Sequence, residues 1–354
     1  MKKGGAPTSL AARMACFPSL IIFPVIFVVI FFLHGPVLRL PFFWDEAGFY
    51  VPAAHDLLQF HSLIPKTTLD TGHPPLPAAY LAIWFALSGL RPAVARIAEL
   101  LLAAFALTNV FLLARRVANT PVAIASTVAT AVYPIFFVQS SLAHADLAAA
   151  AFTIWGLRLR FENRTWLPQF AFCLAVLSKE TAIITPAVLA GWEFFHGAES
   201  SQRKNRFKRA AIWLSPALPL LAWLAYHREV TVRFFGSSDF YQYNVVAVIS
   251  PLRFALALGL RLWHLLGIMN MAALTAATAV AMRFPPVVDA AGKRQRIAVP
   301  VQLQFYLIML AHVITFSLLG GALLTRYLLA AYPLVIIIGM STLRRRLSSW
   351  EWPA

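Results

Sequence analysis

Long apolar stretches recur along nearly the whole chain, and they constrain its fold more than any other feature. Hydrophobic residues make up 60% of the 354 residues, and charged residues make up only 12%. A soluble domain carries roughly 25% charged residues. One water-soluble core could not hide so much apolar surface, so much of it must face lipid. We therefore expect an all-α polytopic membrane protein.

The net charge is strongly positive, at +16 from 30 Lys and Arg against 14 Asp and Glu. In a soluble protein such an excess would suggest a nucleic-acid partner. In a membrane protein, however, basic residues accumulate in the cytoplasmic loops. We therefore interpret the charge as a record of topology and expect no nucleic acid.

The first apolar run, Cys16–Leu33, follows basic residues and resembles a signal peptide at first sight. Its 18 residues exceed the length of a signal core, and no small-x-small cleavage site follows them. We expect an uncleaved first span whose basic end lies in the cytoplasm.

The stretch 74–90 decides the topology, because it is just long enough to cross a membrane. If it crossed, the basic clusters 203–209 and 344–346 would lie outside, against the positive-inside rule. We therefore expect it to lie flat on the outer surface. Twenty of the 30 basic residues are then inside, as are both termini. Ten spans are predicted, at about 17–37, 93–114, 121–139, 145–158, 167–178, 181–196, 211–226, 262–282, 300–320 and 326–343.

Asp45 and Glu46 follow the first span within the aromatic sequence PFFWDEAGFY. An ionised carboxylate costs roughly 2.5–3.5 kcal/mol at the centre of a membrane helix, so both should face water or a site. Adjacent carboxylates in a low dielectric also push their pKa values apart, which suits a general base and its partner. The alternative is an ordinary interfacial cap before the amphipathic stretch 47–60.

Asp146 lies where an outer loop turns into the fourth predicted span, on the same face as Asp45. It could be only the N-cap of that helix, but two segments that bring carboxylates to one surface favour a function. His144 is interpreted as a polar loop residue. Four further acidic residues on the outer face are explained by solvation of loops: Asp56, Asp70, Glu229 and Asp239.

Three cations occupy the outer face, where basic residues are otherwise sparse. These are Lys179, Arg96 and Arg326, the last beside Tyr327. Lys179 could simply neutralise Glu180, and cations at a membrane boundary can snorkel. Together, however, they suggest an anion, and a lipid phosphate is confined to that depth.

The order of these motifs resembles the GT-C membrane glycosyltransferases, in particular protein O-mannosyltransferases and bacterial aminoarabinose transferases. Seven landmarks match in order: the acidic pair at Trp44–Glu46, His-Pro-Pro-Leu at His73–Leu76, Arg96, Ala-Arg-Arg at Ala114–Arg116, Asp146, Leu-Ser-Lys at Leu177–Lys179, and Arg-Tyr-Leu-Leu at Arg326–Leu329. One departure is Arg96-Ile97-Ala98, where such enzymes ordinarily have Arg-Leu-Pro.

The resemblance implies one transmembrane domain over 1–354, with juxtamembrane helices in a first outer loop at 38–92. No soluble C-terminal domain is expected, although many such enzymes carry one. These enzymes lie in the inner (plasma) membrane and take a sugar from a polyprenyl-phosphate carrier on its periplasmic side. The implied reaction is an inverting transfer to an acceptor.

The resemblance also implies a role for each residue of the site. Asp45 would be the catalytic carboxylate that deprotonates the acceptor hydroxyl. Glu46 and Asp146 would position the acceptor or tune that base. The carrier phosphate would be bound by Lys179 and Arg326 with Arg96, and the pocket would be shaped by His73, Tyr327 and Glu180.

The sequence indicates neither a disulfide nor a metal site at its two cysteines. Cys16 and Cys173 both lie in apolar runs and lack metal-ligand spacing. Asp45, Glu46 and Asp146 could hold a divalent cation through carboxylate oxygens. A lipid phosphate flanked by Lys and Arg, however, already has its charge neutralised, so a cation is not required.

The main alternative is a flippase or proton-coupled transporter whose carboxylates relay protons. Such proteins typically show paired repeats with broken spans, and the DE, HPPL and RYLL segments each occur once here. A structural subunit without chemistry would leave the outward charges unexplained.

Overall fold

The computed structural model describes residues 10–196, 203–246, 249–289 and 292–347. The side chains of 10–20, 203–205 and 289 are not described. Lys2 and Lys3, two of the basic residues that precede the first apolar run, lie outside the described residues, as does the Cys16 side chain. Within these ranges the chain is helical apart from one pair of two-residue strands, Val288–Asp289 and Gly292–Lys293.

Sixteen α-helices follow one another through the described part of the chain. They are α1 (Leu10–Leu33), α2 (Val51–Phe60), α3 (Leu76–Ser88), α4 (Pro92–Val117), α5 (Thr120–Ala131), α6 (Pro134–Gln139), α7 (Ala145–Phe161), α8 (Leu167–Ser178), α9 (Ile184–His196), α10 (Arg203–Leu214), α11 (Ala217–Thr231), α12 (Ser238–Asn244), α13 (Pro251–Leu266), α14 (Asn270–Ala281), α15 (Val299–Leu318) and α16 (Tyr332–Arg346). Many begin with a proline at the first or second position, where its missing N–H costs nothing.

Each predicted span coincides with a helix or with two helices in succession. The predicted span 211–226 overlaps the pair α10 and α11, which is bent by 46°, and 262–282 overlaps α13 and α14, which are bent by 78°. Among the described residues, α4 and α15 are long and apolar enough to cross a membrane alone, and the two bent pairs raise that number to four. The all-α membrane fold is confirmed, while the count of ten spans stays a prediction.

Helix α4 is the centre of the bundle, because it is buried on most of its surface. It packs against α1, α5 and α7, and α7 packs in turn against α8. Small side chains line these contacts, among them Ala103 and Ala106 of α4 and Ala148 and Ala151 of α7. Small residues let helix backbones approach closely, which is the main source of packing energy between helices in lipid.

Helices α2 and α3 form a separate layer beside the start of α4. They pack against each other, and their shared core includes Val51, Ala54, Leu81, Phe85 and Ala98. Both helices lie within 38–92, where juxtamembrane helices are expected, and their placement in an outer loop stays a prediction. The layer of α2 and α3 also contacts Ala143, just before α7. It therefore lies beside the loops and helix ends that form the candidate site.

Gly156 of α7 provides a test of this packing. A Cβ added there would lie 2.7 Å from the ring of Phe172 on α8, a fully buried side chain that cannot move freely. We expect Gly156→Ala to lower the free energy of unfolding by about 1–3 kcal/mol through overpacking. Thermal unfolding of the purified full chain in detergent measures the effect.

Gly191→Ala in α9 is the matched control, because nothing lies within 4 Å of the added Cβ. It should leave the melting temperature unchanged or raise it slightly. Equal melting temperatures for Gly156→Ala and the unaltered protein would contradict the packing described for α7 and α8.

Candidate active site

The turn after α1 sends the two adjacent carboxylates in different directions. Trp44 has a φ of 48°, a left-handed conformation that a bulky residue rarely adopts. A short π-helix follows at Glu46–Tyr50, and π-turns frequently occur at functional sites. As a result, Asp45 and Glu46 face separate partners although they are neighbours in sequence.

Glu46 forms a fully buried ion pair with Arg96 of α4. The guanidinium of Arg96 donates to both carboxylate oxygens, one of them at 2.9 Å. Glu46 also accepts hydrogen bonds from the backbone N–H groups of Phe43 at 3.1 Å and Ala143 at 2.8 Å. The pair is therefore completely hydrogen-bonded, as burial of two charges requires.

Arg96 connects the same pair to two further segments. Its guanidinium donates to the carbonyl oxygens of Ser141 at 2.9 Å and Pro41 at 3.2 Å. The loop after α1, the first turn of α4 and the loop before α7 are thus joined at one point. Asp45 and Asp146 lie one and three residues from these anchored positions, which fixes where both carboxylates stand.

Four charged side chains meet next to this pair, namely Asp45, Asp146, Lys179 and Arg326, hereafter the four-charge cluster. Lys179 Nζ lies 2.6 Å from Asp146 Oδ1, and Arg326 Nε lies 3.2 Å from Asp146 Oδ2. Arg326 also donates to the carboxylate of Asp45. Two carboxylates and two cations therefore alternate in one partly enclosed site.

Asp146 lies in the first turn of α7, where a helix stabilises negative charge. The N-cap of α7 is His144, so Asp146 is not the cap, and its side chain instead contacts Lys179 and Arg326. His144 itself is buried against Gln139. Burial, together with the positive charge of Arg326, lowers the pKa of His144 to about 3, so its imidazole is neutral.

Lys179 follows the end of α8 and does not pair mainly with its neighbour Glu180. Burial alone would lower the pKa of Lys179, but the Asp146 carboxylate raises it above its ordinary value, so the ammonium stays charged. Its Nζ lies 4.4 Å from the ring centroid of Tyr327, and the guanidinium of Arg261 lies 5.3 Å from the same centroid. Arg261 therefore adds a third cation near the face of the Tyr327 ring.

Glu180 contacts His73 instead, with 2.9 Å between Oε2 and Nδ1. Burial alone would raise the pKa of Glu180, but His73 and Lys179 lower it, so the carboxylate is ionised. The ring of Tyr50 stacks on His73 at 6.4 Å and lies 5.7 Å from His144. Burial and the Asp146 carboxylate raise the pKa of Tyr50 well above its ordinary value, so its hydroxyl remains a donor.

Two pockets adjoin these residues. The outer pocket has an empty volume of about 460 Å³ and is lined by Tyr50, His73, Pro74 and Trp223 among others. The inner pocket has about 300 Å³ and is lined by Asp146, Lys179, Arg326 and Tyr327, together with residues of α7 and α15. The charged side chains therefore lie where a ligand can reach them.

The structure brings most of the sequence-predicted residues together. Asp45, Asp146, Lys179, Arg326 and Tyr327 share one site, and His73 and Glu180 form a pair that adjoins it through Tyr50 and Lys179. Glu46 and Arg96 instead form the separate buried pair described above.

Two residues of the site escaped the sequence-based prediction. Tyr50 lies five residues after Asp45, and the aromatic run WDEAGFY was a usable signal for it. Arg261 lies within an apolar segment of α13, just before the predicted span 262–282, so its burial against Tyr327 had no signal in sequence. Among the described residues, no group of three His, Cys, Asp or Glu side chains could hold a metal ion.

Comparison with known proteins connects this geometry to a fold. Two crystal structures of ArnT from Cupriavidus metallidurans, one apo and one bound to undecaprenyl phosphate, superimpose with TM-scores of 0.63 and 0.61. They cover 94% and 93% of this chain at 18% sequence identity. The chain has the GT-C fold. This confirms the fold that the order of motifs implied.

The chain covers only 61% and 60% of the length of those two ArnT structures. Residues 72–223 match the family model of dolichyl-phosphate-mannose-protein mannosyltransferases. That segment begins just before His73 and includes Asp146 and Lys179. A search of curated proteins finds no match.

Glu46→Ala tests whether the buried pair organises the site. The change leaves the Arg96 guanidinium and two backbone N–H groups without their acceptor in a closed interior. We expect the free energy of unfolding to fall by about 3–5 kcal/mol, which is typical of breaking one half of a buried ion pair. Chemical or thermal unfolding of the purified chain measures this loss.

Glu162→Ala is the control, because its ion pair with Arg158 is partly exposed and lies within one helical turn. It should cost less than about 1 kcal/mol. A Glu46→Ala protein as stable as the Glu162→Ala protein would show that the pair does not organise the fold.

Proposed function

We propose that this chain is an inverting glycosyltransferase that moves a sugar from a polyprenyl-phosphate carrier to an acceptor hydroxyl. The observation that carries the proposal is the four-charge cluster, in which Arg326 lies between Asp45 and Asp146 beside the buried Lys179. A carboxylate next to a cationic phosphate site is what such a transfer needs. The site faces the periplasm in this proposal, because the basic clusters favour the cytoplasm at the other end of the bundle.

The comparisons support the carrier class. ArnT, whose fold this chain shares, has been crystallised with undecaprenyl phosphate. The model that matches residues 72–223 describes enzymes that use dolichyl-phosphate mannose. Both carriers are polyprenyl phosphates, so the shared chemistry is a lipid phosphate with a long isoprenoid chain.

In the proposed reaction Asp45 is the general base. Its carboxylate accepts the proton of the acceptor hydroxyl while the acceptor oxygen forms a bond to the anomeric carbon of the sugar. The bond from that carbon to the phosphate oxygen breaks, and its electron pair leaves with the carrier phosphate. Attack occurs on the face opposite the phosphate, so the anomeric configuration inverts.

Lys179 and Arg326 hold the carrier phosphate and stabilise the charge that develops on it as it leaves. Arg326 contacts both Asp45 and Asp146, so a bound phosphate would compete with Asp45 for the guanidinium. This exchange would free the Asp45 carboxylate for its role as base. Asp146 keeps Lys179 charged and in place.

Glu46 and Arg96 act indirectly in this proposal. They hold the turn that carries Asp45 and the loop that leads to Asp146, and Arg96 is fully occupied by Glu46 and two carbonyls. His73 and Glu180 shape the outer side of the site beside Tyr50.

Asp45→Asn removes the proton acceptor but keeps an oxygen that can accept from Arg326. We expect sugar transfer to fall by about 10²- to 10⁴-fold, the usual contribution of a general base. The measurement is transfer in membranes supplied with polyprenyl-phosphate sugar, at equal protein levels.

Asp239→Asn, in the exposed helix α12, is the control and should transfer at the normal rate. Undiminished transfer by Asp45→Asn would contradict the role of Asp45 as the general base. Lipid translocation in liposomes without consumption of acceptor would instead favour a flippase.

Lys179→Met tests the phosphate site separately from the chemistry. Loss of an interaction with a charged group weakens binding by about 1.5–3 kcal/mol, so affinity for undecaprenyl phosphate should fall about 10- to 150-fold. Binding is measured with the purified full chain in detergent.

Lys66→Met is the matched control, because Lys66 lies in the outer loop against Phe60 and away from the cluster. It should bind undecaprenyl phosphate normally. The double variant Lys179→Met with Asp146→Asn removes both charges of the buried pair. It therefore leaves no unpaired buried charge at this pair that could destabilise the fold. Normal affinity in either Lys179 variant would contradict a phosphate site there.

A further inference from the structure

The inner pocket extends beyond the four-charge cluster into the helix bundle. Its wall includes Thr153, which is seven residues after Asp146 and therefore about 10 Å further along α7. His312 of α15 lines the same pocket. The rest of the wall combines four alanines, among them Ala149 and Ala150, with larger side chains such as Phe316 and Leu329.

Thr153 lacks the hydrogen bond to the preceding helical turn that many Ser and Thr residues of this protein make. It is 2% exposed, and none of the hydrogen bonds among the described residues involves its hydroxyl. Many Ser and Thr side chains donate to the carbonyl four residues earlier, namely Thr108, Thr127, Thr130, Ser140, Ser178, Thr231, Ser317 and Thr342. The hydroxyls of Ser126, Thr185 and Thr278 also lack a partner among the described residues, but none of these three lines the inner pocket. The hydroxyl of Thr153 is therefore available to the pocket.

His312 is the second polar side chain of the pocket with an atom that makes no hydrogen bond. It is 4% exposed, and its Nδ1 lies 2.9 Å from the carbonyl oxygen of Ile308, so Nδ1 carries the hydrogen in the neutral ring. Nε2 is then an acceptor, and no described residue donates to it. Two buried polar groups on different helices thus face one pocket without partners.

Unpaired polar groups in a membrane interior are unfavourable, so an isoprenoid in this pocket would leave both unsatisfied. A hydroxylated ring satisfies them, because a hydroxyl can donate to His312 Nε2 and another can exchange a hydrogen bond with Thr153.

We propose that the inner pocket binds the sugar of the polyprenyl-phosphate donor, and that Thr153 and His312 recognise its hydroxyl groups and so select the sugar. This inference rests on the proposed function and extends it to the donor sugar. Lys179 and Arg326 line the pocket near Asp146, so a phosphate held there would place the attached sugar against Thr153 and His312.

The test compares the affinities of the purified full chain for undecaprenyl phosphate and for undecaprenyl phosphate that carries mannose, glucose or aminoarabinose. The unaltered protein should bind at least one sugar form more tightly than undecaprenyl phosphate itself. Thr153→Val and His312→Phe should each reduce that preference about two- to tenfold, the effect of one neutral hydrogen bond. Neither should change the affinity for undecaprenyl phosphate.

Two further variants separate recognition from packing. His312→Gln keeps an acceptor near the position of Nε2 and should retain more of the preference than His312→Phe. Thr108→Val is the matched control, because Thr108 is buried on α4 and already bonded to Ala104. It should bind every probe like the unaltered protein.

Each other outcome has a distinct meaning. Tighter binding of undecaprenyl phosphate by Thr153→Val and His312→Phe would overturn the inference and assign the pocket to an isoprene unit. Unchanged preferences in both variants, or no preference for any sugar form in the unaltered protein, would also overturn it while leaving the proposed function intact. Failure of the unaltered protein to bind undecaprenyl phosphate at all would overturn the proposed function first.

Discussion

The arrangement of the candidate site depends on the buried ion pair between Glu46 and Arg96. Both charges are removed from water, and their hydrogen bonds are completed by the backbone of the loops before and after them. Replacing such a pair by apolar residues can be neutral, but removing one partner is costly. The pair therefore matters less for net stability than for position, because it joins the turn that carries Asp45 to the loop that leads to Asp146.

The four-charge cluster also pairs carboxylates with cations, but it is open to a ligand. Its carboxylates and cations neutralise one another in a protein with few charges. The cluster is not sealed, however, because Asp45 and Arg326 remain partly exposed and three of its members line the inner pocket. A closed ion pair serves as a fixed point, whereas an open one can exchange a partner for a ligand. An incoming phosphate can replace Asp45 at Arg326, so binding of the anion and release of the base are one event in the proposed mechanism.

The two pockets differ in ways that suit different parts of a reaction. The outer pocket is bordered by aromatic and proline side chains of the first outer loop and by Trp223. The inner pocket is lined by residues of α7 and α15. Two of them, Thr153 and His312, are buried and have a polar group without a partner within the described chain. Polar side chains inside a membrane bundle are expensive and therefore usually functional. This pattern is what supports assigning the inner pocket to a polar ligand.

The sequence by itself determined the membrane class, the order of the helices and most of the charged site, because apolar length and rare outward charges are local properties. It did not show that the Asp45 and Glu46 side chains contact different partners, because that depends on the left-handed backbone conformation of Trp44 and the π-helix after it. Nor did it separate Arg96 from Lys179 and Arg326, the cations proposed to bind phosphate, because only burial and distance distinguish a fixed ion pair from an open one. Tertiary packing also decides the surroundings of four other residues, namely Tyr50, Arg261, Thr153 and His312. Their neighbours in space lie far away in the chain, so the local sequence does not reveal them.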